Sequence, residues 1–268
     1  MAPSRRIVSG YRVLAPLGRG AGGEVVAAED LASGRRVALK LLDCPPTAAV
    51  MARLTREVAL SRRLGHPGLV RMIECGVLDG RPFQAMDLVE GTLLHDALAD
   101  APFPARRALA ISGAVADCLA ALHAAGVVHR DVKPRNIVLR PDGRPVLTDL
   151  DAAALEPAEL APGTDLVGSP AYLAPEILDD RPADGRADVF SLGVVLYQML
   201  TGRRPFDGSA AEAVEAIRRR TPAPPSHWVP GVTREIDAVV MRCLAKDPAG
   251  RLPAEKLASH LTELTSRA

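Results

Sequence analysis

His129-Arg130-Asp131-Val132-Lys133-Pro134-Arg135-Asn136 is the stretch on which the reading of this chain turns. One short loop presents a carboxylate, a cation and an amide. Phosphoryl transfer needs such groups: one to orient the attacking hydroxyl, one to balance phosphate charge, one to hold a metal. Thirteen residues after Asn136 comes Asp149, at the end of the β-like run Pro145-Val146-Leu147-Thr148. A second carboxylate at a strand end supplies the hard oxygen that Mg²⁺ prefers. Singly, each is an ordinary loop residue; chance does not readily assemble them in this order.

Upstream, Gly18-Arg19-Gly20-Ala21-Gly22-Gly23 lies between two strand-like runs. Glycines let backbone N–H groups approach phosphates closely. Taken alone, the motif serves equally as a β-hairpin turn. A dinucleotide-binding reading is disfavoured, because a strand rather than a helix follows it. Lys40 ends the apolar run Val37-Ala38-Leu39 and by itself reads as an edge-strand charge. Seventeen residues on, Glu57 falls within a helical pattern, either solvated or facing Lys40.

Together these motifs resemble those of bacterial serine/threonine protein kinases, over roughly Tyr11 to Leu264. The resemblance implies that Gly18, Gly20 and Gly23 cover the phosphates of ATP, with Leu17 and Val25 also in the nucleotide site. It implies that Lys40 pairs with Glu57, that Asp131 is the catalytic base with Lys133 and Asn136 beside it, and that Asn136 and Asp149 hold Mg²⁺, for which Mn²⁺ is a substitute. Ala38 and Val138 are expected to sandwich the adenine. Met86 looks like the gatekeeper, and Asp87 to Val89 like the hinge. Lys133-Pro134 matches the serine/threonine class rather than the tyrosine class. Ala174-Pro175-Glu176, Asp188-Val-Phe-Ser-Leu-Gly193 and an Arg251 paired with Glu176 match the family downstream, and they separate a protein kinase from small-molecule phosphotransferases of the aminoglycoside type.

The sequence departs from the family where Asp149-Leu150-Asp151 replaces Asp-Phe-Gly. Leu150 can fill the apolar slot of Phe. Asp151 stands where glycine permits unusual φ/ψ, and aspartate tolerates the left-handed region better than most residues. It is expected to slow conformational switching without abolishing catalysis, and it is the one feature that favours the alternative of a nucleotide-binding scaffold without turnover. Between Asp151 and Glu176 the hydroxyls are Thr164, Ser169 and Tyr172. Ser169 aligns with a structural position, so Thr164 is the candidate phosphosite, with Arg130 as the phosphate's partner. Arg135 stands where an acid often marks a preference for basic peptides. No preference for upstream arginine is therefore expected.

Pattern and composition agree with this reading. Short β-rich runs at Tyr11–Leu17, Glu24–Asp30, Arg36–Leu42, Val70–Leu78 and Pro82–Val89, with one helix near Thr47–Leu64, sum to a five-stranded antiparallel sheet. From Gly91 on the chain reads as mostly helical. The expected fold is α+β and two-lobed: a tail at 1–10, a small ATP-binding lobe at 11–89 and a large catalytic lobe at 90–268. Lys+Arg 33 against Asp+Glu 32 gives no basic field for nucleic acid. Arg218-Arg219-Arg220 reads as a solvated helix face. Cys44, Cys75, Cys118 and Cys243 are scattered free thiols rather than a disulfide or zinc framework. Met1 to Gly10 carries no signal-peptide stretch and no apolar run reaches about 18 residues, so a cytoplasmic protein without membrane contact is expected. Expected partners are proteins carrying Ser or Thr, and the resemblance allows a homodimer through the small lobe.

Overall fold

Glycine and alternating apolar residues in the first third, and helical periodicity afterwards, yield two compact units, 1–90 and 91–268. The computed structural model describes residues 7–8, 10–20, 22–150, 153–155 and 170–268.

The first unit is an antiparallel sheet with one helix. Its strands are β1 (Ile7–Val8), β2 (Tyr11–Gly20), β3 (Gly23–Asp30), β4 (Arg36–Leu42), β5 (Met72–Leu78) and β6 (Arg81–Asp87), in the order β1-β2-β3-β4-β6-β5. Six strands, not the expected five, are present among the described residues. Ile7 and Val8 pair with Arg12 and Tyr11, so part of the expected tail belongs to the sheet. Side chains alternate across a strand. Leu39, Leu41, Phe83 and Ala85 thus join Tyr11, Val26 and Val37 in one buried cluster. Ala38, Lys40, Gln84 and Met86 fall on the other face.

Helix α1 (Ala48–Leu64) starts at Thr47, whose hydroxyl caps Val50 N–H, and stops at Gly65 in the left-handed region. An N-cap of this kind contributes about 1 kcal/mol. Ser61 ties α1 to the sheet: its Oγ donates to Val70 O at 3.0 Å and accepts from Met72 N at 2.9 Å.

The second unit contains β7 (Thr92–Leu93), α2 (Leu94–Ala97), α3 (Ala105–Ala124), β8 (Val127–Val128), β9 (Ile137–Leu139), β10 (Pro145–Leu147), β11 (Ala154–Leu155), α4 (Pro175–Leu178), α5 (Arg186–Thr201), α6 (Ala210–Arg219), α7 (Arg234–Cys243) and α8 (Ala254–Arg267). Helix α5 is its axis, with 14 of 16 residues buried. Gly193 lets α7 come close, since a Cβ there would lie 2.6 Å from Cys243 Cβ. Helix α3 is long and apolar enough to cross a membrane by composition, but its Leu109, Ile111, Val115, Leu119 and Leu122 are buried in this unit's core. Ser209 and Glu212 form a capping box that opens α6.

The arginine run is not a purely solvated face. Arg218 donates to Asp179 at 2.7 Å and to Leu178 O at 2.8 Å, pinning α6 to the end of α4, and Arg220 donates to Pro205 O. Periodicity placed these residues on the polar side of α6 without showing which carbonyls that side meets.

Candidate active site

Strand β9, paired with β7 on one side and β10 on the other, frames the loop 129–136 of the second unit. The loop's backbone is held from below by a carboxylate. Asp188, on the first turn of α5 and fully buried, accepts from His129 N at 2.8 Å and from Arg130 N at 2.7 Å. His123 Nε2 lies 2.8 Å from the same carboxylate. Arg130 has φ 65°, a left-handed conformation that these hydrogen bonds help hold. Burial pulls its guanidinium pKa down, and the Asp188 charge opposes that shift.

Asp131 N donates to His129 Nδ1 at 3.3 Å. Lys133 Nζ lies 2.6 Å from Asp131 Oδ2, and Asn136 Nδ2 donates to the same oxygen at 2.8 Å and to Asp131 O at 2.9 Å. Among the described residues both side-chain donors to Asp131 fall on Oδ2, so Oδ1 is the oxygen placed to accept from a hydroxyl. The Asn136 amide gives its N–H groups to Asp131, which leaves its carbonyl oxygen as the atom suited to a hard cation. Thr148 donates to Asn136 O through its N–H at 2.8 Å and its hydroxyl at 3.2 Å. That link fixes the next residue, Asp149, which has φ 66°. Leu150 is fully buried, filling an apolar slot.

No three His, Cys, Asp or Glu side chains cluster as a metal cage among the described residues. Mg²⁺ needs none, because it binds through one or two protein oxygens plus water and phosphate. The donor set of Asn136 and Asp149 fits such an ion.

The first unit carries most of the other expected site residues. A Cβ at Gly18 or Gly20 would meet nothing within 4 Å, which leaves backbone open to a ligand. Gly23 differs: with φ 142°, its Cβ would sit 2.0 Å from Leu41 O. Its glycine is required by the β3–β4 approach whether or not phosphate is bound. Leu17 is half exposed, and Val25 lies opposite Lys40 on β3. Ala38 and Met86 are buried partners across β4 and β6. Asp87 accepts from Arg71 at 3.0 and 3.1 Å and from Arg35 at 3.3 Å, which secures the end of β6 before Val89.

Lys40 is nearly buried and pairs in register with Gln84. Gln84 Nε2 donates to Glu57 Oε2, so Glu57 of α1 reaches the sheet face that carries Lys40. Val138 lies in the second unit, on β9. Thr164, Ser169 and Asp151 lie outside the described residues.

Residues 11–261 match the family model of the protein kinase domain. The chain belongs to the protein kinase domain family. This kinase domain is 38% identical over 97% of its length to serine/threonine-protein kinase PkaB of Streptomyces coelicolor, covering 64% of that protein. It is 37% identical over 91% of its length to PknJ of Mycobacterium tuberculosis, covering 43%, and 35% identical over 94% to pkn2 of Myxococcus xanthus, covering 32%. The kinase domain thus spans less than half the length of the last two.

Three functional contacts of the kinase domain escape a reading of the sequence alone. Asp188 was legible as part of a motif, but not as the carboxylate that holds the loop backbone. The available signal is a lone acid opening an otherwise apolar helix, since such an acid is rarely buried without partners. His123 completes that anchor. Gln84, a lone amide in an apolar strand, carries the same kind of signal.

Proposed function

We propose that this chain is a serine/threonine protein kinase, transferring the γ-phosphate of ATP to Ser or Thr hydroxyls of proteins, its own included. The observation that carries this is the Asp131 carboxylate, held by Lys133 and Asn136 on one oxygen and open on the other. In this reading Asp131 Oδ1 orients the substrate hydroxyl and accepts its proton, while the Lys133 ammonium balances charge on the transferring phosphoryl group. Lys40, kept beside Glu57, aims its ammonium at the α/β-phosphates, and the open backbone at Gly18 and Gly20 covers them. Asn136 and Asp149 would hold Mg²⁺, which supplies neutralisation of phosphate charge when bound with the nucleotide. Leu17, Val25, Ala38, Met86, Asp87, Val89 and Val138 form the nucleotide's apolar and hinge contacts. Residues 11–89 serve as the small lobe and 90–268 as the large lobe. Positioning and charge stabilisation account for most of the rate.

Substrates are proteins without a required upstream arginine. Arg135 is exposed, with Nη2 2.9 Å from His95 Nε2, and so presents positive charge beside the loop. Thr164 is the activating phosphosite, paired with Arg130. The near-neutral charge favours protein partners over nucleic acid, and we assign the domain to the cytoplasm, away from the membrane, with homodimerisation through the small lobe.

The test is transfer of γ-labelled phosphate from Mg-ATP to the purified chain and a generic protein acceptor. Label on Ser or Thr is expected, and Asp131→Asn should lower kcat by roughly 10²–10⁴-fold. Nucleotide binding without transfer would favour the silent scaffold instead.

A further inference from the structure

We infer that Gln84 is a positioning residue for phosphoryl transfer, holding Glu57, and through it α1, in register with Lys40. This rests on the kinase reading above for the roles of Lys40 and Glu57.

Gln84 is fully buried on β6, in the middle of an otherwise apolar run of the sheet. Its place in the register is directly opposite Lys40. Paired residues on antiparallel strands share a face, so the amide and the ammonium lie on the same side of the sheet. Glu57 comes to that side from α1, itself only 4% exposed, and accepts from Gln84 Nε2. An ionised carboxylate only accepts, which fixes the orientation of the amide: nitrogen toward Glu57, oxygen away from it. Gln84 Oε1 is buried and accepts no hydrogen bond from any described residue.

The unused oxygen of a buried amide costs free energy, and the N–H that it gives to a buried carboxylate offsets that cost. What the amide supplies is direction. It engages one oxygen of Glu57 and so fixes the rotation of the carboxylate and the seating of the helix that bears it. Lys40 stands on the same face of the sheet, directly opposite in register. Glu57 is thereby kept at the sheet by the domain's own strand.

Three forms of the whole chain test this: Gln84→Met, Glu57→Gln and the exchange variant carrying both Gln84→Glu and Glu57→Gln. Losing one hydrogen bond to a charged group predicts a roughly tenfold to hundredfold fall in kcat for Gln84→Met. KM for ATP should stay within about threefold, because the contact matters most in the transition state. Hydrogen exchange across α1 should quicken in Gln84→Met. The exchange variant restores an amide–carboxylate pair opposite Lys40, and it should recover kcat above that of Glu57→Gln. Wild-type kcat and α1 exchange in Gln84→Met would overturn the inference. So would a fall in kcat with α1 exchange unchanged, or one that tracks a loss of thermal stability and is not recovered by the exchange variant. If the wild type itself transfers no phosphate, the kinase reading fails, and α1 exchange in Gln84→Met still decides whether Gln84 holds the helix.

Discussion

Single residues in this domain separate into those that keep backbone open and those that keep it close. Gly20 and Gly23 belong to one motif but do different physical work. A methyl group at Gly20 meets open space, whereas at Gly23 it would meet Leu41 O with the backbone at φ 142°. Gly20→Ala should therefore leave stability within about 0.5 kcal/mol and raise KM for ATP. Gly23→Ala should cost about 1–3 kcal/mol or more through strain and clash. Urea unfolding beside nucleotide titration checks both, and equal losses of stability in the two variants would contradict the distinction. The motif was legible in the sequence; the division of labour within it was not, because it depends on how near β4 passes. Gly185 makes the same point. Its Cβ would fall 2.4 Å from the His123 ring, so its smallness admits the histidine to Asp188.

At the scale of elements, the sequence showed most of the architecture because propensity, capping and pattern agree. The strand Arg36–Leu42 stands where it was expected. Strand β1 was missed because two residues give no alternation to read. The expected pair of Arg251 and Glu176 is present and buried, with guanidinium–carboxylate contacts of 2.6 and 2.9 Å. Arg251 also donates to Ala245 O, Lys246 O and Arg186 O, so one side chain ties α4, the start of α5 and the α7–α8 connection together. Removing one partner leaves a buried charge behind. Arg251→Met should cost about 3–5 kcal/mol. Adding Glu176→Leu should return part of that loss, since the stranded carboxylate is then gone. Denaturant unfolding of the single and double variants measures this, and a double variant less stable than the single would refute it.

Over the whole molecule the formal charge is +1, so the pH dependence of stability follows from particular buried groups rather than net charge. Lys246 is one. Its Nζ is 4.1 Å from the centre of the Phe206 ring and 5.7 Å from that of Phe190, and burial, aided by the nearby charges of Arg251 and Arg220, pushes its pKa down to about 8. An unfolded lysine keeps its proton to about pH 10.4. Between these values the unfolded chain binds more protons than the folded one, so this residue makes stability rise with pH. The thiols of Cys118 and Cys243 act in the opposite direction. Burial pushes both up to about 12, and the unfolded chain loses these protons first, so their contribution declines above the usual thiol range. A wild-type pH profile mixes the two effects, and Lys246→Met isolates one. The variant should be the more stable at pH 7, where the folded protein holds a poorly solvated ammonium, and its advantage should shrink as pH rises from about 8 toward 10. Urea unfolding of both proteins at pH 7, 8, 9 and 10 reads the difference directly; a gap that stays constant across this range would mean that Lys246 keeps an ordinary proton affinity in the folded chain.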